Sequence, residues 1–206
     1  MKNNLVSAAF VAFVSCVPVI GHTALITIDP TSDGSLYTCP GCNVVSDGAY
    51  VLVSGYIQGV VKFSSTAIDG DVDQALLTLN PYGLPLFGPQ VDVYGYGTSE
   101  GQLVVSDANA GVFIGLLTLP SNLGYGEDVF FDVTSFVAST NAPFLAFNLR
   151  SAGTDVFSSL EYNYGHPSQL LVTIVPEPES AALLLAGLFA IAANSRYRSA
   201  KRRHAN

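Results

Sequence analysis

Between residues 25 and 175 the chain has no apolar stretch that keeps a helical period over several turns. Its apolar runs are short, at 25–28, 50–53, 60–63, 75–79, 91–94, 103–105, 112–119, 129–131, 144–149 and 170–175. Several alternate with period two, as in Val91-Asp92-Val93-Tyr94, which sends successive side chains to opposite faces of a strand. Turn-forming residues fall between them, at Asp33-Gly34, Ser46-Asp47-Gly48, Asp69-Gly70, Asn80-Pro81, Leu119-Pro120 and Gly165-His166-Pro167. Many short strands with this punctuation predict an all-β sandwich. A helical turn is expected only over Val133–Val137, after Asp132. No repeat or linker divides the segment, so it reads as one domain, large enough to bury a sizeable core.

The two ends differ from this body. Lys2, an apolar run from Leu5 to Ile20, and Gly21-His22-Thr23-Ala24 form a secretory signal peptide, with Ala24 as the expected residue before the cut. At the other end, Val175-Pro176-Glu177-Pro178-Glu179-Ser180 leads into an uncharged apolar run, Ala181 to Ala193. Prolines make the first part stiff and extended, and the run after it favours a helix. From Ser180 to Ser195 such a helix would span about 24 Å, short of the ~30 Å hydrocarbon core. Snorkelling of Arg196 and Arg198 would extend its reach. Five basic residues, Arg196, Arg198, Lys201, Arg202 and Arg203, would hold that end on the cytoplasmic side.

This proline–glutamate–proline motif, apolar helix and basic end, in that order at the C-terminus, resembles the PEP-CTERM sorting signal. Val175, Pro176, Glu177 and Pro178 match its core, with Ser180 at a position where a small hydroxyl residue is common. The resemblance implies recognition and removal of the tail by a membrane exosortase, after signal peptidase has acted at the other end. A plain C-terminal membrane anchor is the alternative. Both readings place residues 25–175 outside the cytoplasm, in the envelope or the exterior.

The net charge of −8 conceals a segregation. Residues 25–175 hold 14 acidic side chains against Lys62 and Arg150, a balance of −12. Such a body repels phosphate backbones, which excludes nucleic acid as a partner. The body retains Cys39 and Cys42, as Cys-Pro-Gly-Cys. In an oxidising compartment this spacing predicts a small disulfide across a Pro-Gly turn. Redox chemistry, a metal site and free thiols are the alternatives, the first two lacking the helix or further ligands that they need.

The succession Val61–Ser65, Ala75–Leu79, Val91–Tyr94, Phe131–Val137, Phe144–Arg150, Phe157–Glu161 and Pro167–Ile174 resembles the DNRLRE-type, carbohydrate-binding-module-like domain of exported bacterial proteins. The resemblance spans nearly all of the body. It implies a jelly-roll sandwich, and some members of that family bind acidic polysaccharides.

Candidate chemistry divides three ways. Tyr82, Phe87, Tyr94, Tyr96, Tyr125, Tyr162 and Tyr164 offer flat rings to pyranose C–H groups, and Lys62 and Arg150 offer cations to a polysaccharide carboxylate. Asp69, Asp71 and Asp73 alternate as at the start of a calcium loop. Gln74 and Asn80 stand where that loop needs Gly and Glu, so the site would be weak or partial. Gly97-Thr98-Ser99-Glu100-Gly101 fits a nucleophile elbow, followed in hydrolase order by Asp132 or Asp155 and then His166. The elbow needs a strand-to-helix turn, whereas Leu103-Val104-Val105 reads as another strand. The expectation is therefore a non-catalytic exported protein that associates with exopolysaccharide. An envelope interaction scaffold, with or without calcium, comes next, and a secreted serine hydrolase last.

Overall fold

The computed structural model describes residues 23–41, 44–48, 50–82, 90–120, 126–160 and 166–175, with Gly187, Leu188 and Ile191 of the tail. Two units separate. His22–Glu177 is one; the other joins Met1–Gly21 to Pro178–Asn206 and is described only at the three tail residues, which are helical. Among the described residues no helix is long and apolar enough to cross a membrane.

The first unit is an antiparallel β-sandwich. Its strands are β1 (Ala24–Ile28), β2 (Pro30–Tyr37), β3 (Val44–Ser46), β4 (Tyr50–Ser54), β5 (Ile57–Ser64) and β6 (Asp71–Leu79). They continue with β7 (Gln90–Thr98), β8 (Val112–Thr118), β9 (Val129–Asp132), β10 (Phe144–Arg150), β11 (Thr154–Ser158) and β12 (Gln169–Val175). A four-stranded sheet runs β1-β12-β6-β9. An eight-stranded sheet runs β11-β4-β5-β10-β7-β8, with β2 also beside β5 and β3 beside β2. Alternate residues of both sheets turn inward, among them Val61, Phe63, Leu77, Val91, Val93, Leu145, Phe147, Leu149, Leu170 and Val172, all buried in one apolar core. Each large apolar side chain so buried stabilises the fold by about 1.5–3 kcal/mol.

The helical turn expected after Asp132 is α1 (Thr134–Ser139). Asp132 Oδ1 accepts hydrogen bonds from the Thr134 hydroxyl at 2.6 Å and the Thr134 N–H at 2.9 Å, which starts the turn. The same two donors hold the Asp132 carboxyl below its ordinary pKa. α1 then sets Phe136 edge-on against Phe147, 5.5 Å between centroids.

Two expectations are corrected. Asp33-Gly34 is no turn, because Pro30–Tyr37 is a continuous strand paired along β5. Its turn-like composition reflects a close approach: a Cβ on Gly34 would lie 2.3 Å from the Ser46 carbonyl oxygen of the β3 segment folded beside it. Leu103-Val104-Val105 is no strand; it lies in a long connection, 99–111, whose only regular piece is a 3-10 turn at Val105–Asp107.

Candidate ligand-binding ledge

The inward residues of β5, β7 and β10 fix what their alternates do. Lys62 on β5, Asp92, Tyr94 and Tyr96 on β7, and Asn148 and Arg150 on β10 belong to the opposite, outer face of the larger sheet. The 99–111 connection folds over one part of this face. There Lys62 is fully buried, with Nζ 2.8 Å from Asp107 Oδ2, 2.7 Å from the Gln102 carbonyl and 3.3 Å from the Glu100 carbonyl. All three ammonium donors are thereby matched, the condition under which a buried ion pair is tolerated. Asp107 Oδ2 also accepts from the Val104 N–H at 2.8 Å.

Amides finish the cover. Gln58 Nε2 donates to Asn109 Oδ1 at 2.7 Å, and Gln58 Oε1 accepts from the Asn109 N–H at 2.9 Å. Asn148 Nδ2 donates to Gln58 Oε1 and to the Asp107 carbonyl, each at 2.9 Å. Asn109 has φ of 59°, a left-handed conformation that asparagine accepts more readily than most residues. The Tyr96 hydroxyl is buried beneath the same cover, and among the described residues it has no partner in hydrogen-bonding geometry. Burial first, and the neighbouring Asp107 carboxylate second, push its pKa upward.

Beyond Ala110 the described residues leave the face partly exposed. Arg150 Nη2 donates to the Ala110 carbonyl at 2.8 Å and Nε to Asn148 Oδ1 at 3.1 Å, while the guanidinium carbon stands 3.7 Å over the Tyr94 ring. Tyr94 in turn meets Phe113 of β8 edge-on, 5.5 Å between centroids. A cation stacked on a ring, and that ring held by a second, form a stiff shelf.

A β-bulge completes it. On β8 the register jumps: Val93 faces Gly115, but Tyr94 faces Phe113. Ile114 and Gly115 both turn inward, Ile114 packing against the core and Gly115 lying under Phe131 of β9. Phe113 and Leu116 consequently share the outer face, opposite Tyr94 and Asp92, although their spacing of three would separate them on a regular strand. Both are exposed, Phe113 at 56%. Gly95 makes room for the bulge, since a Cβ there would lie 2.4 Å from Ile114 Cδ1.

Of the sequence-derived candidates, Tyr94 and Arg150 meet on this ledge. Lys62 does not: its ammonium is enclosed and saturated, so it cannot reach a polysaccharide, and this expectation is corrected. Tyr96 has its hydroxyl under the cover. Tyr82 packs on Tyr50, 4.8 Å between centroids. Phe87, Tyr125, Tyr162 and Tyr164 lie outside the described residues, as do Cys42, Pro176, Glu177, Pro178, Ser180 and the basic residues Arg196 to Arg203. Val175 is the last residue of β12. Cys39 is disulfide-bonded.

Asp69 precedes β6, and Asp71 and Asp73 lie within it, all three exposed. Among the described residues no three His, Cys, Asp or Glu side chains gather into a metal-binding group. Ser99 follows β7 and leads into the 99–111 connection rather than a helix, so the elbow geometry is missing. Its supposed partners are engaged apart from it: Asp132 starts α1, Asp155 is buried in β11, and His166 Nε2 lies 3.1 Å from Asp128.

Phe113 is the residue that sequence reasoning missed. Its signal was indirect: Gly95 and Gly115 interrupt strands, and a glycine inside a strand marks a bulge or a close backbone approach. No family model and no curated protein matches this chain.

Proposed function

We propose that this chain is a non-catalytic exported protein whose body binds polysaccharide on the Phe113–Tyr94–Arg150 ledge. Its PEP-CTERM-like tail would deliver it, through an exosortase, to the cell surface or extracellular matrix. The resemblance to DNRLRE-type domains, with their jelly-roll strand order, agrees with the antiparallel sandwich and with a binding rather than a catalytic role. One observation carries the reading: a bulge on β8 turns an exposed aromatic ring onto a sheet face where a guanidinium is already clamped. Pyranose C–H groups stack on such a ring, and hydroxyls reach the adjacent polar groups.

The test is affinity electrophoresis of the full chain, held in mild detergent, through gels containing exopolysaccharide from cells that make the protein. Retardation is expected for the natural chain and should be abolished in Phe113→Ala. Equal migration with and without polysaccharide, or unchanged retardation of Phe113→Ala, would overturn the ledge as a glycan site.

A further inference from the structure

Resting on that reading, we infer that the ledge takes an uncharged polysaccharide rather than an acidic one. Three observations select the class. The body carries −12, and one of its two cations, Lys62, is sealed against Asp107, so Arg150 alone faces the ligand as a cation. Arg150 is itself restrained by Ala110, Asn148 and Tyr94. Asp92 stands directly opposite Arg150 on β7 and opposite Leu116 on β8, on the same outer face.

Among the described residues the ion pairs are Lys62–Asp107 and His166–Asp128, and Asp92 belongs to neither. Its carboxylate therefore shares the outer face with the guanidinium, on the strand beside it. A uronate placed on Phe113 would meet Arg150 and Asp92 together, within a negative field from the whole body. A neutral sugar meets no such conflict. One ring hydroxyl donates to Asp92, another accepts from Arg150, and the C–H face lies on Phe113 and Leu116. Charge-assisted hydrogen bonds to a restrained guanidinium and to a carboxylate on the same face suit a polyhydroxyl ligand with no charge of its own.

The test compares retardation of the full chain in gels of mixed-linkage β-glucan, galactomannan and dextran with gels of polygalacturonate, at low and high salt. Retardation by at least one neutral polymer is expected, insensitive to salt, with none by polygalacturonate. Asp92→Asn should weaken neutral binding about tenfold, the loss of a hydrogen bond to a charged group. On an acidic ligand the same change would tighten binding, because a repulsive charge is gone. Polygalacturonate retardation that fades with salt, or tighter binding by Asp92→Asn, would overturn the inference while leaving the ledge a glycan site. If no polymer of either class retards the chain, the inference fails, and retardation by the native exopolysaccharide tells whether the wider reading falls with it.

Discussion

Lys62 and Arg150 emerge from neighbouring strands on the same side of the larger sheet, yet their surroundings differ completely. The 99–111 connection closes over Lys62 and provides Asp107 and two carbonyls, whereas to Arg150 it offers the Ala110 carbonyl. One cation becomes an internal tie between cover and sheet. The other stays half-exposed at the edge of the cover, stacked on Tyr94. The difference teaches that the charge of a side chain has no fixed role on a sheet face; what covers the face assigns it.

The contrast should break most visibly at the buried end. Lys62→Ala leaves Asp107 enclosed without its counter-charge and is expected to cost about 3–5 kcal/mol of stability. Arg150→Ala removes a partly exposed cation and should cost no more than about 1 kcal/mol. Urea unfolding of both variants reads the gap directly, and equal losses would show that the cover does not depend on its ion pair.

A second change sharpens the open end. Gly95→Val drives its side chain into the space of Ile114, an overpacking expected to cost about 1–3 kcal/mol. It should also displace the bulge, turn Phe113 off the ledge and abolish polysaccharide retardation. Binding that survives in a folded Gly95→Val protein would separate the bulge from the site.

Asp155 extends the comparison to a third buried charge. Asp155 is 2% exposed in β11, and among the described residues neither carboxylate oxygen has a partner in hydrogen-bonding geometry, unlike Asp107. Burial raises its pKa above the ordinary 3.8, with Ser151 opposing. The protonated form is therefore favoured by folding: its stabilisation is full below the unfolded pKa and is lost as pH rises through the folded one. Asp155→Asn should remove this loss and gain about 1 kcal/mol at neutral pH, with little change in acid. Melting curves across that range check the sign; a variant less stable at neutral pH would mean that the ionised carboxylate has a stabilising role.

Much of this fold was legible because it depends on local patterns. Period two in Val91–Tyr94 and the polar start at Asp132 correspond to β7 and α1. The Asp33-Gly34 pair misled because a glycine needed for close packing has the same letter as a glycine needed for a turn. The candidate ledge was half legible: Tyr94 and Arg150, an aromatic and a rare cation, are both on it. Lys62 is as rare a cation but lies under the cover, and Phe113 belongs to the apolar run 112–119, where nothing local marks it.

By itself, the sequence determined the all-β class, the excess of acid over base, and the candidate set from which any ligand contact had to come. These follow from side-chain alternation, turn chemistry and counted charges, none of which needs distant neighbours. Only the tertiary structure decided which cation faces solvent and which ring stands beside it. A connection more than 35 residues away in sequence closes over Lys62, with Lys62 and Glu100 separated by 38 positions. A bulge on β8, admitted by Gly95 across the ladder, reverses the alternation that would have separated Phe113 from Leu116. Alternation names the two faces of a strand, but cover and register, which are long-range, decide what each face meets.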